Sequence, residues 1–240
     1  MGNRATTTTT TCTQQVSNCN SERPNSGDQR IRGSALRRTT DIATQHPAYD
    51  DTFRVVVVGD SRSGKTSLVE RYTKCEFNAR TRETVGVDFA SVPVKSPDAV
   101  YRLQIFDTAG ASRYQKISSA YFRSCKAFVV AVDCTSTTQF DRIRSWIDEI
   151  RGVVGCDDDV TIVIALTKTD ERETRCISLE SVREVTEGCG VSCVETSAKN
   201  NDNVDELFER LAGSIVEKQR RDNNTRTTRL TMEPSPVVCK

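Results

Sequence analysis

The stretch that most constrains this chain is Gly59-Asp60-Ser61-Arg62-Ser63-Gly64-Lys65-Thr66, which fits the pattern G-x-x-x-x-G-K-[ST]. It follows the apolar, β-branched run 53–58 and opens a segment to about Lys74 that is typical of a helix. A strand, a glycine-rich loop and a helix in this order gather backbone N–H groups at a helix N-terminus. The sequence therefore predicts a polyphosphate-binding loop, with Lys65 at the β/γ-phosphates, Thr66 as a Mg²⁺ ligand and Ser67 among the residues that bind the phosphates.

Strands and helices alternate after this loop, which predicts an α/β fold with a mostly parallel sheet and helices on both faces. Besides 53–58, strands are predicted at 87–95, 100–106, 127–132, 160–166 and 192–195. Helices are predicted at 65–74, about 114–124, 140–150, 179–186 and 204–220. Pro93 makes 87–95 an edge strand, and the turn residues 96–98 join it to the next strand. The prediction is thus six strands, with the edge strand antiparallel.

Polar residues that directly follow predicted strands indicate a shared ligand site, because ligands of such sheets lie beyond the carboxyl ends of the strands. Asp107 supplies a carboxylate for Mg²⁺, and Gly110 a backbone N–H that can approach a γ-phosphate. Asp170, in Thr167-Lys168-Thr169-Asp170, can accept two N–H donors from the edge of guanine, a pair that adenine lacks. The backbone of Ser197-Ala198-Lys199 can donate to a base carbonyl, with the Lys199 stem on the ring.

These four elements in order resemble a small GTPase of the Ras superfamily over about 53–218, a G domain that we delimit as 51–220. The Rab branch fits best through the stretches 85–89, 102–107, 113–117 and 121–123. The resemblance implies that Thr84 ligates Mg²⁺ and senses the γ-phosphate, and that Phe77 covers the guanine ring. It also implies GTP and GDP as ligands, GTP hydrolysis involving Lys65, Thr84 and Gly110, and membrane traffic as the process regulated.

Partners follow from the same resemblance. An exchange factor, a GTPase-activating protein and effectors are expected to bind through residues 80–90 and 110–123, which would reorganise when the γ-phosphate is lost. The formal net charge is only +1 over 240 residues, so no global field recruits nucleic acid. We expect a monomer.

Three departures from the family pattern affect the predicted chemistry. Ala111 stands where the family has the glutamine that orients the attacking water, so hydrolysis is expected to be slow. Thr167 replaces the usual asparagine and can make one of the two contacts of that amide. Arg62 occupies a position usually held by a small residue, as a solvated loop-tip arginine or, alternatively, as an arginine finger in the same chain.

Both ends of the chain differ in composition from the middle. Residues 1–50 are Thr-rich and basic, and 221–240 are polar, so we predict a disordered arm and tail. Met-Gly-Asn-Arg-Ala-Thr at the start matches the myristoylation pattern on Gly2, with Cys12, Cys19 or Cys239 as second lipid sites. Cys239 alone fits neither the paired cysteines of Rab-like chains nor C-a-a-X. These features predict a cytoplasmic protein peripherally associated with endomembranes, with reduced cysteines.

Two other classes of function remain open on the sequence. Without the water-orienting glutamine, the chain is alternatively a nearly non-hydrolysing scaffold that holds GTP and serves as a docking platform. A P-loop kinase or ATPase is the other alternative. Asp170 and the loop 197–199, which specify guanine, argue against an ATP-dependent enzyme.

Overall fold

The computed structural model describes residues 37–38, 49–80, 83–95, 99–110, 125–154 and 160–232, with backbone alone at 37–38 and 222–232. All of them belong to one compact unit that starts at Gly33. The strands are β1 Arg37–Arg38, β2 Asp51–Val58, β3 Val87–Lys95, β4 Val100–Thr108, β5 Ala127–Asp133, β6 Thr161–Thr167 and β7 Ser192–Glu195. The helices are α1 Lys65–Lys74, α2 Thr137–Asp141, α3 Ile143–Val154, α4 Leu179–Thr186 and α5 Val204–Met232.

The six predicted strands are confirmed, in the spatial order β3-β4-β2-β5-β6-β7, and the short strand β1 adds a seventh strand at the β3 edge of the sheet. Only β3 of these six runs antiparallel, through its pairing with β4. The other neighbours pair in parallel, with Val55 opposite both Ile105 and Ala127. The edge prediction for β3 needs one amendment, since β1 pairs with its last two residues, Val94 and Lys95. These residues follow Pro93, which has no N–H to donate.

The central strands are buried on both faces, as the continuous apolar runs predicted. Alternate residues of β2 serve two cores. Val55 and Val57 pack with α1 and α5 on one face, where Tyr72 stacks on Phe208 at 4.1 Å between ring centroids. Val56 and Val58 pack on the other face with residues of α3 and α4, among them Trp146, Ile147, Ile150 and Val182. The sheet is therefore fixed from both sides, and the ends of its strands are held rigidly.

Two predicted helix boundaries differ from the structure. The predicted helix 140–150 is divided into α2 and α3 at Arg142. The last helix continues to Met232 rather than ending near Arg220, so at least 221–232 of the predicted disordered tail is helical. No glycine or proline lies between Gly213 and Pro234, and proline disfavours helical geometry in the residue before it. The described part of the helix thus extends to two residues before the first proline of the tail.

Several predictions fall outside the described residues. These include nearly all of the arm 1–50, the turn 96–98, the end of the tail, and the segment 111–124 with its predicted helix and Ala111. Within the part of the chain that is described, no helix is both long and apolar enough to cross a membrane.

Candidate functional site

The carboxyl ends of the parallel strands lie along one edge of the sheet. The register places Val58 beside Val130, and Asp133 beside Thr167. Because β3 runs in the opposite direction, its first residue lies opposite Thr108 at this same edge, which brings the preceding Thr84 there as well. Every predicted site segment that follows a strand therefore opens onto one edge, as expected of this class of sheet.

The loop Gly59–Thr66 connects β2 to α1 through a narrow passage. Gly59 has φ 136°, and a Cβ on it would come within 2.3 Å of the Ala131 carbonyl oxygen. Gly64 caps the helix with φ 86°. Both glycines therefore occupy backbone conformations that other residues rarely adopt, and the first also has no room for a side chain. This packing holds the loop N–H groups in place for an anionic ligand.

Lys65 is buried within this loop and donates hydrogen bonds to the carbonyl oxygens of Gly59 at 3.0 Å and Asp60 at 2.7 Å. Burial lowers its pKa to about 8, although Asp107 and Asp60 act to raise it. The ammonium is thus predominantly protonated at neutral pH in a setting that disfavours its charge. A phosphate oxygen beside it would offset that cost.

The three predicted Mg²⁺ ligands converge, although they come from distant parts of the chain. The Thr66 hydroxyl donates to Oδ2 of Asp107 at 2.6 Å, and the two hydroxyls of Thr66 and Thr84 lie 2.8 Å apart. The Oδ1 atom of Asp107 is buried without a hydrogen-bond partner in the described structure. Burial raises the pKa of Asp107 to about 6, against the effect of Thr66 and Lys65. Two hydroxyls around a buried carboxylate with an unused oxygen fit a hard divalent cation.

Gly110 lies against the phosphate loop. A Cβ on it would come within 2.5 Å of both the Lys65 Nζ and the Ser61 backbone nitrogen. The backbone of Gly110 therefore reaches the same place as the lysine that is predicted to hold the β/γ-phosphates. This contact is what a backbone sensor of the terminal phosphate requires, because only glycine lets the chain approach so closely.

The predicted guanine-reading residues also come together. Ser197 Oγ donates to Asp170 Oδ1 at 2.6 Å, and Lys199 Nζ lies 3.4 Å from Oδ2. Burial acts to raise the pKa of Asp170, but the hydrogen bonds and charge supplied by Ser197 and Lys199 outweigh it and leave the pKa below its ordinary value. Asp170 is therefore ionised at neutral pH, as an acceptor of two N–H donors must be. Ala198 lies between the other two loop residues.

Thr167 forms a hydrogen bond between the segment 167–170, which is predicted to recognise the base, and the phosphate loop. Its Oγ1 lies 2.6 Å from the Ser63 carbonyl oxygen and 3.1 Å from that of Val132, and all three residues are buried. The hydroxyl is thus committed to the backbone, consistent with one of the two contacts expected of the usual asparagine. Its neighbour Lys168 has φ 61° and forms an ion pair with the buried Asp133 at 2.5 Å.

We expect Thr167→Val to lower the free energy of unfolding by about 1–2 kcal/mol, because it leaves the buried Ser63 carbonyl without its donor. Thr161→Val is a matched control on the same strand, since the buried hydroxyl of Thr161 has no hydrogen-bond partner in the described structure. That variant should be neutral or slightly stabilising. Urea denaturation of both proteins measures the difference, and equal losses would show that the Thr167 contact contributes nothing.

Two other residues predicted at the nucleotide site, Arg62 and Phe77, have exposed side chains. Arg62 is exposed, which favours the solvated arginine over the arginine finger, and its φ of 63° is a left-handed conformation that suits glycine. Phe77 follows α1 and keeps 36% of its surface exposed, so its ring is accessible to a ligand. Ser67, in the first turn of α1, is half-buried next to Thr66.

Three residues that lie at the site were not predicted from the sequence. Arg142, between α2 and α3, forms an ion pair with Asp60 of the phosphate loop at 2.5 Å, and its guanidinium lies over Trp146. Asp133 anchors Lys168. Arg71 of α1 donates to the loop that contains Ala198. The only available signal was position, since Asp133 ends a buried strand at the ligand edge.

A strand, glycine-rich loop and helix with a lysine and a hydroxyl-lined carboxylate define a P-loop nucleotide-binding domain. The Asp170 loop lies where the sequence predicts recognition of guanine. A family model described as the Ras family matches residues 54–217, which is more than half of the chain. The chain therefore belongs to the Ras family and is a small GTPase, a class that binds guanine nucleotides, typically with Mg²⁺. The roles given to individual residues remain predictions that this geometry supports.

Proposed function

We propose that this GTPase is a Rab-like switch that regulates vesicle traffic on endomembranes and hydrolyses GTP slowly. One observation supports the proposed switch mechanism. The Thr84 hydroxyl lies 2.8 Å from that of Thr66 in the metal site, while the adjacent Val85 keeps 78% of its surface exposed. The residue proposed to respond to the nucleotide is therefore covalently joined to an apolar surface residue.

The proposed partner surface extends along β3. Phe89 is 56% exposed and packs obliquely on the ring of Phe106, with 5.4 Å between the centroids. Exposed apolar side chains next to a ligand-dependent segment are suited to partners that distinguish the two nucleotide states. The Rab-like motifs 85–89 and 102–107 include this surface. They support the Rab branch, and with it a role in membrane traffic, over the other branches of the superfamily.

The proposed chemistry is GTP hydrolysis with positioning supplied by the protein. Lys65 and the loop N–H groups would hold the β/γ-phosphates, and Gly110 would contact the terminal phosphate. Thr66, Thr84 and Asp107 would hold Mg²⁺, which supplies charge neutralisation at the phosphates when bound. Ala111 leaves the attacking water without its usual acceptor, so we expect the GTP state to be long-lived. A constitutively GTP-bound docking scaffold is the second candidate, and the same substitution favours it.

Membrane attachment is proposed through myristoylated Gly2, with Cys12, Cys19 or Cys239 as a second lipid site, because one myristoyl chain binds only marginally. Fractionation of cells that express the full chain, followed by intact-mass spectrometry, tests this. We expect the endomembrane fraction to contain acylated protein with bound GTP or GDP. A soluble protein with an unmodified N-terminus, or a prenyl mass on Cys239, would contradict the proposal.

Matched variants separate anchoring from switching. Gly2→Ala removes the acylation site and should release the protein into the soluble fraction, whereas Asn3→Ala keeps the motif and should not. Thr66→Ala removes the metal-site hydroxyl, and cells expressing it should deliver a secreted reporter more slowly than cells expressing Lys74→Ala. Normal delivery in the presence of Thr66→Ala would count against a role in traffic.

A further inference from the structure

One guanidinium joins the end of α1 to the base-reading loop. Arg71 Nη1 donates to the Cys75 carbonyl oxygen at 2.7 Å, which closes the last turn of α1. From the same side chain, Nε donates to the Ala198 carbonyl at 2.6 Å and Nη2 to that of Lys199 at 3.2 Å. Arg71 thus binds two successive carbonyls of a loop that lies 127 positions further along the chain.

These two carbonyls determine where the adjacent N–H groups point. In a trans peptide the N–H of residue i+1 lies opposite the carbonyl of residue i. With the Ala198 carbonyl held by Arg71, the N–H of Lys199 is directed away from α1. With the Lys199 carbonyl held, the N–H of Asn200 points to the other side, where it donates to Ser197 Oγ at 3.1 Å. The orientation of both peptide planes therefore depends on one arginine.

The peptide plane between Lys199 and Asn200 is connected by hydrogen bonds to the carboxylate of Asp170, which is predicted to bind guanine. Asn200 N–H donates to Ser197 Oγ, and that hydroxyl donates to Asp170 Oδ1 at 2.6 Å. The other side of the loop is held separately, by reciprocal backbone hydrogen bonds between Ser197 and Asp202. Such chains of hydrogen bonds strengthen one another, so removal of the first donor loosens those that follow.

We propose that Arg71 is a positioning residue for base recognition, which orients the loop 197–200 so that the Lys199 N–H faces the carbonyl of guanine while the Asn200 N–H supports Ser197. The inference rests on guanine-nucleotide binding by this domain. Arg71 lies on α1 beyond the residues predicted to contact phosphate. Its loss should therefore reduce the discrimination between bases more than it reduces phosphate binding.

The test compares GTP with 6-thioguanosine triphosphate, in which sulfur replaces the base carbonyl oxygen while the N–H donors read by Asp170 are kept. We expect the wild-type chain to bind the thio analogue about tenfold more weakly, the value of one amide–carbonyl hydrogen bond. In Arg71→Met, which keeps the apolar stem without donors, that ratio should fall to about twofold or less. Equilibrium titration with each nucleotide measures both affinities.

Lys74→Met is the matched control, because Lys74 lies on the same helix, is exposed, and forms its ion pair within the described residues with Glu70 at 3.1 Å. It should keep the wild-type ratio. Arg71→Gln, whose shorter side chain does not reach the loop, serves as a second variant if Arg71→Met does not fold. A ratio that stays at the wild-type value in a folded Arg71 variant overturns the inference, even if all affinities fall together. Equal binding of both nucleotides by the wild-type chain would instead overturn the proposed base contact itself.

Discussion

Replacement of Ala111 with glutamine should raise the single-turnover rate of GTP hydrolysis by about ten- to a hundredfold. In the family, a glutamine at this position orients the attacking water, and the methyl group of alanine has no hydrogen-bonding atom to do so. Intrinsic hydrolysis by such proteins is about 10⁻⁴ s⁻¹ even with the glutamine, so the wild-type chain should be slower still. Quench-flow or filter assays on protein preloaded with labelled GTP would measure both rates.

Ser112→Gln is the matched control, since it adds the same amide one position further along and should leave the rate unchanged. An Ala111→Gln rate equal to that of the wild type would mean that another group already orients the water. Arg62→Ala then becomes informative, because an arginine finger in the same chain predicts slower hydrolysis in that variant and a solvated arginine predicts no change.

Addition of an activating protein that supplies its own water-positioning group would distinguish the switch from the scaffold. The switch should then hydrolyse its GTP, whereas the scaffold should retain GTP for hours although the activating protein is present.

The extent to which the sequence predicted this site depends on how each contact is built. The phosphate loop was predictable because Gly59 to Thr66 are contiguous and their residue types are required by the local backbone. Strands β5 and β6 were predictable for a similar reason, since the largely apolar runs at 127–132 and 160–166 specify burial on both faces. Local chemistry thus predicted the fold and the four site segments, including the convergence of Asp107 with Thr66.

Long-range contacts of arginine side chains were not predictable in this way. Arg142 and Asp60 are 82 positions apart, and Arg71 and Ala198 are 127 apart. An arginine at the protein surface is usually solvated, so nothing in either local pattern indicates its partner. The extension of α5 to Met232 was missed because its polar composition was weighed above the absence of a breaker before Pro234. Tertiary packing determined the arginine contacts, and backbone continuity determined the length of α5. Composition determined neither of them.

The identity of the base should depend chiefly on Asp170. We expect Asp170→Asn to weaken GTP binding by about a hundredfold or more, because sites built to hydrogen-bond a substrate discriminate strongly once a pair is mismatched. The carboxylate accepts from two guanine N–H donors, whereas an amide offers one acceptor and a donor that faces the guanine amino group. The same amide complements xanthine, which carries a carbonyl there, so XTP should become the preferred nucleotide.

Asp202→Asn is the control for a nearby charge change, because within the described structure Asp202 forms its hydrogen bonds with Ser197 through its backbone. That variant should retain GTP preference. The asparagine at 170 would keep the acceptor for Ser197 Oγ but would place its amide N–H₂ toward the Lys199 ammonium, which lies 3.4 Å from Oδ2 in the wild type. Some general weakening is therefore expected, and only the ratio of XTP to GTP affinity isolates base reading. A ratio that does not change would assign base recognition to another residue, and equal affinity of the wild-type chain for ATP and GTP would remove the physical basis for a guanine-specific switch.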